Sequence, residues 1–338
     1  MAAPGKHRQS PKASTSPARP AGRPMVIVTE TLAERPAKWI AERVELVWCS
    51  HKETKDLDAL LPTAEGLIVR TYTQVNDALL DQAPKLKVVG RAGVGLDNID
   101  IRACQRRGVQ VVSVPDANTQ AVVEYVFGLM LDTLRPRTDL PPNVTDEKFH
   151  ELRKTEVGKQ LDQLSIGIVG FGRIGKRLGC VVNAIGMRLL ACDVLSEVQL
   201  RKAVDFPFEY VSHEQLYRQS HVVSVHVDGR AENRGMFNAQ VFAQLRPDCL
   251  FINAARGMLI DNDALAEHLQ AHPDFRAILD VHEPEPPGPD YPLWNLPNAR
   301  MLPHLASRTD QAMENMSWVV RDVWAVLDRR TPNFPAWT

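Results

Sequence analysis

The sequence predicts an α/β protein built as two doubly wound parallel-sheet domains with a cleft between them. Three observations carry that expectation. At 338 residues the chain is longer than a single ordinary core supports. Short β-branched runs alternate with amphipathic helical stretches in two separate series, and such alternation builds parallel sheets joined by crossover helices. A glycine-rich turn opens the second series directly after a strand-like run.

The first series starts at Met25-Val26-Ile27-Val28-Thr29. It continues through Glu45–Trp48, Gly66–Val69, Leu86–Val89 and Val109–Val112. A stronger helix, about Thr119 to Leu134, separates the two series. The second series runs Ser165–Val169, Arg188–Ala191, Val222–Val225, Leu250–Asn253 and Arg276–Leu279. A long amphipathic helix from about Arg308 to Leu327 closes the chain. Its Ala312, Met316, Val319, Val323 and Leu327 recur at steps of three or four, the spacing of one buried face.

Composition excludes several classes. Apolar residues make up 44% and charged residues 24%, which suits a soluble globular chain. No run approaches the ~18 consecutive apolar residues of a membrane span. Cys49, Cys104, Cys180, Cys192 and Cys249 are scattered and form no CxxC pair. Neither a disulfide framework nor a structural metal site is expected, and a reducing, cytoplasmic compartment is favoured. The net charge of -1 hides an asymmetry. Residues 1–24 hold Lys6, Arg8, Lys12, Arg19 and Arg23 and no acid. Without these five, 35 basic residues face 41 acidic ones, a body at -6. That body argues against nucleic-acid binding. The Pro- and Ser-rich tail has no apolar periodicity and is expected to be disordered. Met25, which opens the first strand, is an alternative start.

The turn reads Gly170-Phe171-Gly172-Arg173-Ile174-Gly175 and leads into a helix expected over Lys176–Asn183. Gly170 permits a tight turn, Gly172 lets backbone approach a pyrophosphate, and Gly175 lets helix and strand pack closely. The pyrophosphate would lie on the helix N-terminus. Asp193 stands 18 residues after Gly175 at a strand end. A carboxylate there accepts hydrogen bonds from ribose hydroxyls and repels a 2′-phosphate, so NAD is preferred over NADP. This half is therefore expected to be a Rossmann domain.

Three more motifs follow on the same half: Asn253-Ala254-Ala255-Arg256-Gly257, Asp280-Val281-His282-Glu283-Pro284-Glu285-Pro286, and Leu302-Pro303-His304-Leu305-Ala306. Strand C-terminal ends line the ligand crevice of an open α/β sheet. An arginine, a glutamate and a histidine placed there suit a charged polar substrate.

With these motifs in this order, the chain resembles the D-isomer-specific 2-hydroxyacid dehydrogenases, nearest their D-3-phosphoglycerate dehydrogenase branch. The resemblance runs from about residue 60 to 328 and includes Val89-Gly90-Arg91-Ala92-Gly93-Val94-Gly95-Leu96-Asp97-Asn98-Ile99-Asp100. It implies Arg256, Glu285 and His304 as catalytic residues. Glu285 rather than Glu283 takes that role because it precedes Pro286. His304 would carry the proton to or from the substrate oxygen, Glu285 would hold the other ring nitrogen, and Arg256 would fork onto the carboxylate. The resemblance also implies NAD contacts from Gly170, Gly172, Arg173, Ile174, Gly175, Asp193, Val227, Ala254, Ala255 and Asp280. Substrate contacts would come from Arg70 and from a backbone anion nest at Ala92, Gly93, Val94 and Gly95. It implies a discontinuous substrate domain, 25–117 with 305–338, around an NAD-binding domain, 118–304. A homodimer and a small 2-hydroxy or 2-keto acid are the implied partners, with no nucleic acid, membrane or metal. The 34 residues after His304 leave no room for a C-terminal regulatory domain, so serine feedback through one is not expected.

Some features depart from the family pattern. Asp228 stands where a proline is usual, Val123 replaces an alanine before Glu124, and the stretch Pro136 to Gln160 lacks a usual tryptophan. That stretch is expected to form a dimer arm. His226 is read as structural, and His213, His268 and His272 as solvated positions. Glu285 argues against a formate dehydrogenase, which carries glutamine beside the histidine. Hydroxypyruvate, glyoxylate and phosphite dehydrogenases stay compatible. So does an NAD-sensing binding protein like the C-terminal-binding corepressors, which keep the same triad.

Overall fold

A computed structural model describes residues 22–337. The expected disorder of residues 1–24 lies outside the described residues, save for the last three. The chain divides into two units. One runs to Pro115 and resumes at Met313; the other is Asp116–Ala312.

In the first unit five parallel strands lie in the order β2-β1-β3-β4-β5. They are β1 (Met25–Val28), β2 (Glu45–Trp48), β3 (Gly66–Val69), β4 (Val88–Arg91) and β5 (Gln110–Val112). Every residue of β1 and β3 is buried. Unbroken apolar runs, not alternation, are what a parallel strand covered on both faces requires. β4 lies two residues later than expected, because Gly90 and Arg91 pair with Ile68 and Val69. A glycine and a cation masked the strand end.

The closing helix is two helices, Asp310–Ser317 and Val320–Leu327. The Ser317 hydroxyl donates back to the Met313 carbonyl at 2.7 Å and accepts the Ala33 amide at 3.0 Å. Such side-chain back-bonding bends helices. The apolar stripe survives the break: Met316, Val319 and Val323 are buried, the last two against Val26, Ile68 and Val88.

In the second unit seven parallel strands lie in the order β12-β11-β10-β9-β6-β7-β8. They are β6 (Ser165–Val169), β7 (Arg188–Cys192), β8 (Glu209–Tyr210), β9 (Val222–Val225), β10 (Leu250–Asn253), β11 (Arg276–Leu279) and β12 (Ala299–Met301). The two edge strands have two and three residues, too short to leave a pattern in the sequence. Two apolar layers enclose the sheet. One centres on Phe237, Phe242, Phe251 and Phe275, the other on Phe171, Ile166 and Leu178. The helix Thr119–Leu134 forms as expected and packs beside the helix Arg173–Ala184. The strand order reverses between β6 and β9. That is the switch point at whose carboxyl edge open α/β sheets bind ligands.

Candidate active site

The glycine turn leaves β6 at this switch point. The Gly170 amide donates to the Cys192 carbonyl at 3.0 Å, and the His226 amide donates to Val169 at 2.8 Å. The turn is thus tied to the ends of both β7 and β9. Gly170 has a φ of +89°, a left-handed conformation that glycine adopts without penalty. The following helix starts at Arg173, three residues earlier than expected, so Arg173, Ile174 and Gly175 form its first turn. A Cβ on Gly175 would lie 2.3 Å from the Gly170 carbonyl oxygen. Only glycine lets the helix begin this close to the turn.

These residues fit a dinucleotide. No side chain caps the helix at Gly172, and a Cβ there would meet nothing within 4 Å. An anion can therefore approach the uncapped amides at the positive end of a helix. Asp193 is fixed beside them: its carboxylate accepts the Phe171 amide at 2.6 Å and the Leu195 amide at 2.9 Å.

Arg256 follows β10 on a loop that Asn253 organises. The Asn253 side chain accepts the Ala255 amide at 3.0 Å and donates to the Arg256 carbonyl at 2.8 Å. Ala254 and Ala255 lie in that loop, and Val227 lies in the one after β9. A Cβ on Gly257 would sit 2.0 Å from the His282 carbonyl carbon. The loops after β10 and β11 are thus in backbone contact, and Glu285 rides on the second.

His304 meets Glu285, Nδ1 to Oε1, at 2.7 Å, with both side chains partly exposed. Burial acts to raise the Glu285 carboxyl, but the hydrogen bond and charge of His304 outweigh it and bring it below the ordinary range. Glu285 and His304, 19 residues apart in the sequence, are thus paired, and Arg256 stands on another loop at the carboxyl edge of the same sheet.

His304 has a φ of +55°, unusual for a residue with a side chain. Its turn is held from beneath by Asp280. One carboxylate oxygen accepts the Leu305 amide at 2.8 Å, the other the Ala306 amide at 2.8 Å. Asp280, expected at the cofactor, is fully buried, and its oxygens accept these amides. Burial raises its carboxyl, and the amides pull it part of the way back. Tyr125 lies near enough to feel the Asp280 charge, and burial together with that charge pushes its hydroxyl up to about 12. Nothing in the sequence marks Tyr125, which comes from a helix some 150 residues away.

The remaining histidines differ in setting. His226 contacts the Ser224 hydroxyl at 2.9 Å, and burial lowers its pKa to about 4. His268, expected to be solvated, instead packs among Phe242, His272 and Phe275.

In the first unit Arg70 is buried at the end of β3. Its guanidinium points at the Met313 and Met316 sulfurs, at 3.2 and 4.0 Å. The expected backbone nest is smaller than the sequence suggests. The Ala92 amide donates to Val69 at 2.8 Å and the Gly93 amide to Arg91 at 2.7 Å. Only the Val94 and Gly95 amides are left for such a role. The five cysteines are free. Among the described residues no group of acidic, histidine and cysteine side chains could hold a metal ion. None of their helices is long and apolar enough to cross a membrane.

The chain is similar in sequence and fold to known proteins. The profile of the D-isomer specific 2-hydroxyacid dehydrogenase NAD-binding domain matches residues 127–306. D-3-phosphoglycerate dehydrogenase of Archaeoglobus fulgidus is 33% identical over 298 residues, 88% of this chain and 56% of that one. Hydroxypyruvate reductase of Thermotoga maritima is 31% identical over 294 residues, 86% of this chain and 94% of that one. The chain spans about half the length of the curated phosphoglycerate dehydrogenases it matches. Among solved structures, an NADPH-dependent glyoxylate/hydroxypyruvate reductase from Sinorhizobium meliloti, in complex with NADP and malonate, superposes with a TM-score of 0.77. It is 26% identical, and the match covers 94% of this chain and 97% of that one. The chain carries an NAD-binding domain and belongs to the D-isomer specific 2-hydroxyacid dehydrogenase family.

Proposed function

We propose that the chain is an NAD-dependent oxidoreductase that interconverts a D-2-hydroxy acid and its 2-keto acid. The observation that carries this reading is the His304–Glu285 pair at 2.7 Å, on the same sheet edge as Arg256 and the glycine turn. Bound NAD supplies the hydride exchange. The protein's own residues handle the proton and the charge. Glu285 accepts from Nδ1 of His304 and fixes the ring, so that Nε2 carries the proton to or from the substrate oxygen. Arg256 holds the carboxylate and polarises the adjoining carbonyl through its planar fork. Asp193 favours NAD by accepting from ribose hydroxyls.

The first unit is the substrate domain in this reading, with Arg70 as its cation. The exposed arm, residues 136–160, joins two copies. Its helix Asp146–Thr155 buries no residue within the chain, as suits a segment that docks elsewhere. The preferred acid is 3-phosphoglycerate, with hydroxypyruvate next, following the two kinds of relative. A cytoplasmic location is part of this reading, and unpaired cysteines suit a reducing compartment.

The test is NADH consumption by purified protein across a panel of 2-keto acids, phosphorylated and not. Preference for phosphohydroxypyruvate, lost in Arg70→Ala, supports the phosphoglycerate reading; equal use of unphosphorylated acids defeats it. No turnover on any acid, with tight capture of short peptides, would favour the corepressor-like alternative.

A further inference from the structure

The loop after β9 departs from the family pattern at Asp228, and there the structure shows an organised charge cluster. Asp228 Oδ1 accepts Arg230 Nε at 2.9 Å and Asn233 Nδ2 at 2.9 Å. The Asp228 carbonyl accepts Asn233 Nδ2 as well, at 3.1 Å. Its carboxyl lies below the ordinary range, chiefly through the hydrogen bond from Arg230. Arg230 is therefore held in place although its side chain is mostly exposed.

The strand order β9-β6-β7 sets this loop and Asp193 on opposite sides of the glycine turn. The contact is close on both sides. The His226 carbonyl lies 2.7 Å from where a Gly170 Cβ would stand, and Asp193 accepts the Phe171 amide. Arg230 lies within range of the Asp193 charge. One rim thus carries an acid on its β7 side and a positioned cation on its β9 side.

We propose that Arg230 is a cofactor-specificity residue that contributes affinity for a 2′-phosphate on the adenosine ribose, and so offsets the exclusion of NADPH by Asp193. The proposal rests on the dinucleotide reading of the glycine turn. A guanidinium is the apt group, because its fork matches phosphate oxygens. With Nε engaged by Asp228, its two terminal nitrogens are aimed rather than free to swing. A sequence reading that looked for an arginine directly after Asp193 finds Val194, Leu195 and Ser196 and misses one supplied by the strand two places across the sheet.

The experiment is calorimetric titration of four full-length proteins with NADH and with NADPH: wild type, Arg230→Ala, Asp193→Asn and the double variant. Asparagine keeps an acceptor for one of the two amides that Asp193 binds. The NADPH-to-NADH affinity ratio should fall about tenfold in Arg230→Ala, the loss of one hydrogen bond to a charged group. It should rise in Asp193→Asn, and the double variant should lose most of that rise. A ratio that does not change on removing Arg230, in either background, overturns the proposal and leaves the NAD reading intact. A wild type that binds neither dinucleotide overturns both. If Asp193→Asn does not fold, as judged by circular dichroism, the ratio in Arg230→Ala decides alone.

Discussion

Asp280→Ala should both destabilise the second unit and disable His304. The carboxylate is fully buried and accepts two backbone amides at 2.8 Å each. Burial makes the charge itself costly, so the effect does not come from losing a favourable ion. It comes from the partners left without an acceptor. An orphaned buried amide costs ~1–3 kcal/mol, and the Leu305 amide, less buried than that of Ala306, counts at the low end, so the pair costs about 2–4 kcal/mol. A left-handed residue with a side chain costs ~1–3 kcal/mol to hold. The support thus exceeds the strain it maintains at His304, and without it the turn should relax. A loss of about 3 kcal/mol lowers the unfolding midpoint by roughly 6–12 °C in a unit of this size. A histidine displaced by about 1 Å should lower turnover about a hundredfold. Asp280→Asn should rescue less than half of either effect, because its single carbonyl oxygen serves one amide while its NH2 faces the other. Circular dichroism melts and NADH-linked turnover on the same preparations test both effects. An Asp280→Ala protein within ~0.5 kcal/mol of wild type, with unchanged turnover, would refute the reasoning.

Gly175→Ala should abolish NADH binding and lower stability, since its Cβ would stand 2.3 Å from backbone oxygen that cannot swing aside; titration giving wild-type NADH affinity would contradict this. Under the proposed function, His304→Ala should reduce turnover by roughly two to four decades with little change in the melt, because it would remove the proton carrier and not a core contact. His226 is held neutral by burial, with a folded pKa of about 4 against an unfolded value of ~6.5. Its folded value is the lower one, so stability is complete above about pH 6.5 and falls as the pH drops toward about 4. The fall in melting midpoint over that window should be shallower in His226→Asn, and identical slopes in the two proteins would count against the assignment.

Much of the fold was legible because parallel strands covered on both faces must be continuous apolar runs. Ser165–Val169, Val222–Val225 and Leu250–Asn253 stand at their expected bounds for that reason. The glycine turn was legible because a close backbone approach admits one residue type. The edge strands Glu209–Tyr210 and Ala299–Met301 were not legible, since so short a pairing is fixed by its neighbour and not by its own pattern. The closing helix looked continuous because its stripe is continuous. Its break at Trp318 and Val319 involves a hydroxyl shared with the Ala33 amide, some 280 residues away.

By itself the sequence determined two parallel sheets, the turn that opens the second, and the residues of a proposed acid–base site, because each depends on local pattern or on a particular side-chain chemistry. The tertiary structure alone decided which groups support which. Asp280 stands beneath the His304 turn, and the loop that carries Arg230 lies across the glycine turn from Asp193. These pairings join residues whose separation in the chain carries no signal, and they arise only when the strand order brings distant loops to one edge of the sheet.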